Sequence, residues 1–400
     1  MKQNSQGRYA VVNKKKTKKK PSLFARILAG IGTLLATAVC VPILAVLIGT
    51  LALSSGNQNA AGNVSAAGIA IMDKFDMTIT NEISKALDGI ITIEKSYWLS
   101  DDVLVAPKAD HEHFGTADSP AELAWLLEET ADLVGDQQLM FNMDTPVWEH
   151  DKIYYYYDET ILALAWKQKI DGCIFTLAEI KVADASQFRR FLAGGEFGSD
   201  KQFVPTEMAG SVNAIVATSG DFYKFRQNGI VVYDGQVQRF EGKHIDTCFI
   251  DSNGDLLLSY RKEFSNINEA QAFVDENKVR FSLVFGPILV DNYEATKTLG
   301  YPLGEIHDEY TRSAVCQLGE LHYAFINVTT EPNFGFLRRM TINQFAQALA
   351  GLGVQKAYAL DGGQTTVICM QDQLISYPDY GTQRRISDII YFATAMPDGG

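Results

Sequence analysis

The stretch LFARILAGIGTLLATAVCVPILAVLIGTLAL, Leu23 to Leu53, constrains this chain more than any other. After Arg26 it carries no charge for 27 residues. Crossing a bilayer takes about 20 apolar residues. A cleaved signal peptide has a shorter apolar core of about 7–15. Residues 1–26 hold nine Lys or Arg and no acid, and such a basic flank stays in the cytoplasm. The sequence therefore predicts a basic cytoplasmic segment over 1–22, one N-terminal transmembrane helix over 23–53, and the remainder as an extracellular domain. ALSSG after the run contains no cysteine, which argues against a lipidated lipoprotein.

Charge divides the chain sharply. Nine of the 35 Lys and Arg precede residue 27, so 26 bases face 48 acids beyond it, a net charge of −22. A globular part that acidic is repelled by a phosphate backbone, so nucleic acid is excluded as a partner. With 46% apolar and 21% charged residues, the composition is that of a folded protein. Cys173, Cys248, Cys316 and Cys369 allow three pairings, or stand as buried thiols; their spacing matches no zinc motif.

SSGNQNAAGNVSAAG reads as a tether over 54–68. An N-terminal extension follows over 69–150. Ile71, Met72, Phe75, Ile79, Ile83 and Leu87 suggest an amphipathic helix there. SPAELAWLLEETADLVG reads as a second helix, with Ser119 capping, Pro120 at the first turn and Gly135 as the stop. From residue 139 the pattern turns to short strands closed by Gly, Asp and Asn, including a hairpin signal at Asp171-Gly172. The Tyr154–Tyr157 run reads as a strand with half-buried rings. DASQFRRFLAGG reads as a short helix with an Asp184–Gln187 capping box. Near the end, strand LHYAFINV, helix TINQFAQALAGLG and strand VQKAYAL form a βαβ-like unit. It delivers Asp361-Gly362-Gly363 at the carboxyl end of a strand, where open α/β sheets place ligands. The fold class is α+β, mixed β-sheets with packed helices, and the main domain spans 151–400.

Six motifs occur in order: GDFY (Gly220–Tyr223), GIVVYDGQV, FGPILVDN, YTRSAVCQLGELHYAF, MTINQFAQALAGLGVQKAYALDGGQTT and RRISDIIYFATAMP. Over about residues 170–397 this series resembles the phosphodiester glycosidase family, and most resembles its bacterial membrane-anchored members. Three positions depart from the pattern: Ser219 stands where the family has Asn, Thr311 replaces a proline and Cys316 replaces a glycine. Serine lacks the amide and cannot make the same paired hydrogen bonds.

The resemblance implies hydrolysis between a sugar anomeric carbon and a phosphate oxygen, so the expected partner is a carbohydrate-phosphate substrate. An anionic departing group needs cations or N–H donors. An oxocarbenium-like sugar needs a nearby carboxylate. Asp361 is the first candidate carboxylate and Asp221 the second. Arg312 is the candidate phosphate clamp, because its planar fork matches two oxygens. Gly220, Gly362 and Gly363 let backbone approach the ligand, and the last two offer an N–H nest. Gln364 and Thr365 are placed to bond sugar hydroxyls. Arg226 and Arg385 are weaker phosphate candidates. His111-Glu112-His113 has no third ligand at suitable spacing, so no metal is assigned, and the residues name no cofactor. Two other functions fit the same features: an envelope protein that binds glycan or phosphate polymer without turnover, and an exopolysaccharide assembly factor.

Overall fold

Alternating apolar residues build three antiparallel-paired sheets in the computed structural model. It describes Leu99 and residues 105–396, apart from 222, 299, 303–306 and 372. The basic segment, the Leu23–Leu53 run, the tether and the helix expected over Ile71–Leu87 lie outside the described residues. Among the described residues no helix is long and apolar enough to cross a membrane.

The largest sheet has nine strands. In spatial order they are Phe114–Ala117, Ile153–Tyr157, Ile161–Ile170, Cys173–Val182, His322–Thr329, Arg312–Gly319, Lys356–Leu360, Ile288–Asp291 and Glu294–Ala295. One five-stranded sheet runs Leu256–Ser259, Thr247–Ile250, Phe281–Leu283, Val231–Tyr233, Gln236–Arg239. The other runs Gln373–Leu374, Ile368–Met370, Val216–Ser219, Asp388–Phe392, Phe188–Leu192.

Both faces of the large sheet are buried, as its near-continuous apolar strands require. On one face Ala314, Cys316, Ala357 and Ala359 pack under Phe345, Ala346 and Leu349 of the Ile342–Gly351 helix. On the other, Val315, Phe325, Tyr358 and Leu360 meet Phe281, Leu283, Ile368, Ile390 and Phe392 of the smaller sheets. The extension shares this core: Ala117, Leu123 and Leu126 belong to the first cluster, and the described residues form one unit.

The βαβ expectation holds with one refinement. His322–Thr329 and Lys356–Leu360 each pair antiparallel with Arg312–Gly319 between them, so they run parallel with one strand inserted. The linking helix carries a capping box: Thr341 Oγ1 accepts from the Gln344 N–H, and the Gln344 side chain reaches back to the Thr341 N–H at 3.0 Å.

Two expected helices are corrected. The Asp184–Gln187 capping box is present, but it closes only a 3-10 turn over Ala185–Gln187. Phe188–Leu192 then pairs with Asp388–Phe392, and the Phe188 and Phe392 rings stack at 4.6 Å. Sheet pairing overrides the local cap there. The segment after Ser119 is broken into Pro120–Leu123, Ala124–Glu129 and Ala131–Val134. Ser119 bonds the Glu122 carboxylate rather than capping the backbone, and Thr130 turns its hydroxyl onto the Leu126 carbonyl. The tyrosine run is a strand as read, with Tyr156 fully buried and its hydroxyl on Asp158 at 2.8 Å. Cys173, Cys248, Cys316 and Cys369 are all buried, and no disulfide joins them among the described residues.

Candidate active site

Asp361 follows the last residue of the Lys356–Leu360 strand. That strand pairs Leu360 with Ser313, so Arg312 and Asp361 lie one step further on neighbouring strands. Asp361 Oδ1 accepts from the Gly362 N–H at 3.0 Å, and Oδ2 takes an ion pair from Arg384. Burial raises the Asp361 pKa; Arg384 opposes that most strongly, with Thr365 and Arg226 adding to it. A largely buried carboxylate ion-paired with Arg384 is therefore the chemical centre of this strand end, and the Arg226 charge also acts on it.

The glycines are used structurally as well. A Cβ on Gly362 would collide with the Thr311 carbonyl, and Gly363 sits at φ +70°. The Gly363 N–H donates to Thr311 Oγ1 at 2.8 Å, and Thr366 bonds the same oxygen at 3.2 Å. Thr311, where the family pattern has proline, thus supplies a hydroxyl that ties the turn to the neighbouring strand. The expected N–H nest is engaged inside the protein in this arrangement, one donor by Asp361 and one by Thr311. Thr365 donates to the Gly362 carbonyl at 2.7 Å, and Gln364 donates to Thr382 at 2.8 Å.

Arg312 is buried. Its Nε donates to the Met340 carbonyl at 3.0 Å, its Nη2 reaches the Asp308 carbonyl, and its fork lies 5.6 Å from the Tyr310 ring. Desolvation lowers its pKa to about 10. The guanidinium holds the loop ahead of its own strand.

Asp221 goes elsewhere. Its side chain is fully covered, with Oδ2 accepting from Arg190 at 3.3 Å and from the Val284 N–H at 2.9 Å. Arg190 also pairs with Asp388 at 2.8 Å, and Asp388 accepts from the Asp221 N–H at 3.1 Å. Two carboxylates thus share one buried guanidinium. Burial raises both pKa values, that of Asp388 to about 7. Gly220 precedes this cluster, and a Cβ there would strike the Asp388 carboxylate. Ser219 is buried beside it, its hydroxyl without a partner among the described residues. The structure therefore brings together Asp361, Gly362, Gly363, Gln364 and Thr365, with the charge of the weaker candidate Arg226 acting on Asp361, and sets Asp221 and Gly220 in a buried ionic cluster.

Arg384, Arg190 and Asp388 were not singled out from the sequence. Arg384 is 23 positions from Asp361 in the chain, and no local spacing joins them. Its neighbour Arg385 turns away and donates to the Gln202 carbonyl at 3.1 Å. His111 bonds Gln371 at 3.2 Å and His113 stacks on Tyr157 at 5.1 Å. His322 is packed, 2.8 Å from the Glu179 carboxylate.

The strand-end aspartate, its glycine turn and the parallel strand pair all fall inside one stretch that comparison assigns. Residues 212–393 match the phosphodiester glycosidase family model. The matched stretch contains Asp361, Asp221, Arg312, Arg384 and Asp388. Arg190 and the first four strands of the large sheet lie ahead of the matched stretch. Among solved structures, the chain is similar to a hypothetical protein from Synechocystis at 15% identity and a TM-score of 0.43, covering 62% of this chain. The chain spans 64% of that structure's length. It is also similar to the zebrafish N-acetylglucosamine-1-phosphodiester alpha-N-acetylglucosaminidase catalytic domain, auto-inhibited by its pro-peptide. That likeness has 17% identity and a TM-score of 0.47, and covers 73% of this chain and 98% of that one. No curated protein matches the chain.

Proposed function

We propose that this protein is a membrane-anchored hydrolase that cleaves a sugar-1-phosphodiester bond in cell-envelope or extracellular glycans. The family match supports hydrolysis of a phosphodiester-linked sugar. The observation that carries the site is the Asp361 carboxylate, held at a strand end by an ion pair with Arg384 and a hydrogen bond from the Gly362 N–H. In this proposal Asp361 faces the anomeric carbon, as base or as electrostatic partner of the developing positive charge. Arg384 and Arg226 attract the departing phosphate. A phosphate monoester leaves readily, so a strong general acid is less necessary than in an ordinary glycosidase. The Leu23–Leu53 run motivates the anchor and the extracellular placement.

The test offers the full chain a panel of sugar-1-phosphodiesters and compares Asp361→Asn. The expected result is turnover that falls by roughly 100-fold or more in the variant. Turnover unaffected by Asp361→Asn would sink the site assignment. Binding without turnover by the unaltered protein would favour a non-catalytic glycan-binding role, for which Ser219 in place of asparagine is the supporting observation.

A further inference from the structure

Beside the Asp361 turn lies a row of buried polar side chains. Thr176, Asn327 and Ser313 are register partners on three adjacent strands, and Ser313 pairs in turn with Leu360. All three are at most 1% exposed. Thr176 Oγ1, Asn327 Oδ1 and Nδ2, and Ser313 Oγ find no hydrogen-bond partner among the described residues. Thr329 Oγ1, two positions from Asn327 on the same strand, is equally unpartnered.

Strand alternation puts these side chains on the face of Ala178, Phe325, Val315 and Leu360, between the large sheet and the smaller ones. Leaving one such group unpaired costs about 1–3 kcal/mol. A cluster is therefore explained by something small that bonds to it. The atoms are neutral donors and acceptors, an amide and three hydroxyls. That set suits water, which in protein interiors makes about three bonds to otherwise unsatisfied groups. Directly paired side chains stand about 4.5–5.5 Å apart at Cβ, close enough to share one water. Full burial without a charged member argues against a phosphate.

Thr311 lies two residues before Ser313, just ahead of the Arg312–Gly319 strand. Its hydroxyl bonds both Gly363 and Thr366 of the Asp361 turn. The row thus leads to the turn that carries the carboxylate.

We propose that Thr176, Asn327, Ser313 and Thr329 hold ordered water that serves as the hydrolytic supply for Asp361. This rests on the function proposed above. In the step it feeds, the water oxygen bonds to the anomeric carbon. The bond from that carbon to the phosphate oxygen breaks, its electron pair leaving with the phosphate monoester, and the water's proton passes to Asp361.

Two readouts test it. The first is a high-resolution crystal structure of the unaltered protein, which should show water bonded to both Asn327 and Ser313. No such density overturns the proposal whatever the activity. The second is partition in water–methanol mixtures with a sugar-1-(methyl phosphate) as substrate, measured for Asn327→Leu and Ser313→Ala. Hydrolytic kcat should fall roughly tenfold with KM little changed, and the ratio of methyl glycoside to free sugar should rise. An unchanged ratio in folded variants overturns the catalytic role. Ser313→Ala removes only one hydroxyl and carries the test if Asn327→Leu fails to fold. Ordered water in a protein that turns over no phosphodiester overturns the proposed function, and the catalytic half of this inference with it, but leaves the water site standing.

Discussion

At Asp361 two influences oppose each other. Burial favours the protonated acid, and Arg384 favours the carboxylate. Replacing Arg384 by Gln removes the stronger opposing charge, so the Asp361 pKa moves further up. If Asp361 works ionised, activity is lost as pH falls through that pKa. The acid limb of kcat/KM should therefore shift to higher pH in Arg384→Gln, a displacement that simple loss of packing would not produce. A second expectation concerns Gly362, whose added Cβ would meet the Thr311 carbonyl. That neighbour is backbone and cannot swing aside, so Gly362→Ala forces the turn to shift. Overpacking of this kind costs about 1–3 kcal/mol. Thermal unfolding should fall by several degrees, since about 1 kcal/mol shifts Tm by roughly 2–4 °C in a domain of this size class. An unchanged Tm would show that the turn has room the geometry denies.

The elements divide by how local their causes are. The Ile342–Gly351 helix was legible because its cap, apolar face and stop lie within a dozen residues. The structure keeps the cap and the apolar face, while the helix runs through Gly351 and ends at Leu352, one residue beyond the expected stop. Asp361 and its glycines were legible for the same reason, as the end of the strand that helix feeds. Phe188–Leu192 was misread because its cap is real but its fate is set by Asp388–Phe392, far along the chain. Arg384 and Asp388 were invisible on the same ground: each acts on a partner that only the folded sheets bring near. The capping box offers a test at this scale. Thr341→Ala removes the oxygen that accepts the Gln344 N–H, and loss of such a cap costs about 1 kcal/mol. Denaturant unfolding should show that loss in the midpoint with little change in slope, because the surface exposed on unfolding is the same.

At the scale of the whole molecule, the two smaller sheets meet at Arg190. Its own strand and that of Asp388 belong to one five-stranded sheet. Its Nη1 reaches the Ser282 carbonyl in the other, and Asp221 accepts the Val284 N–H next to that strand. Tyr223 lies 5.3 Å from the guanidinium. Burial first, and then the charge of a second carboxylate that one cation does not fully offset, make the pair keep a proton to higher pH than usual. An unfolded aspartate ionises near 3.9, whereas Asp388 is pushed up to about 7. Between those values the folded protein binds more protons than the unfolded chain. The contribution of Asp388 to stability is therefore fully present below about pH 4 and is lost as pH rises toward 7. Asp388→Asn keeps the shape but removes the titration. The Tm difference between the unaltered protein and this variant should decline from pH 5 to pH 8 and then level. A difference that grows with pH would mean that Arg190 holds both carboxylates ionised throughout, and that the junction between the sheets is a simple salt bridge rather than a proton-sharing one.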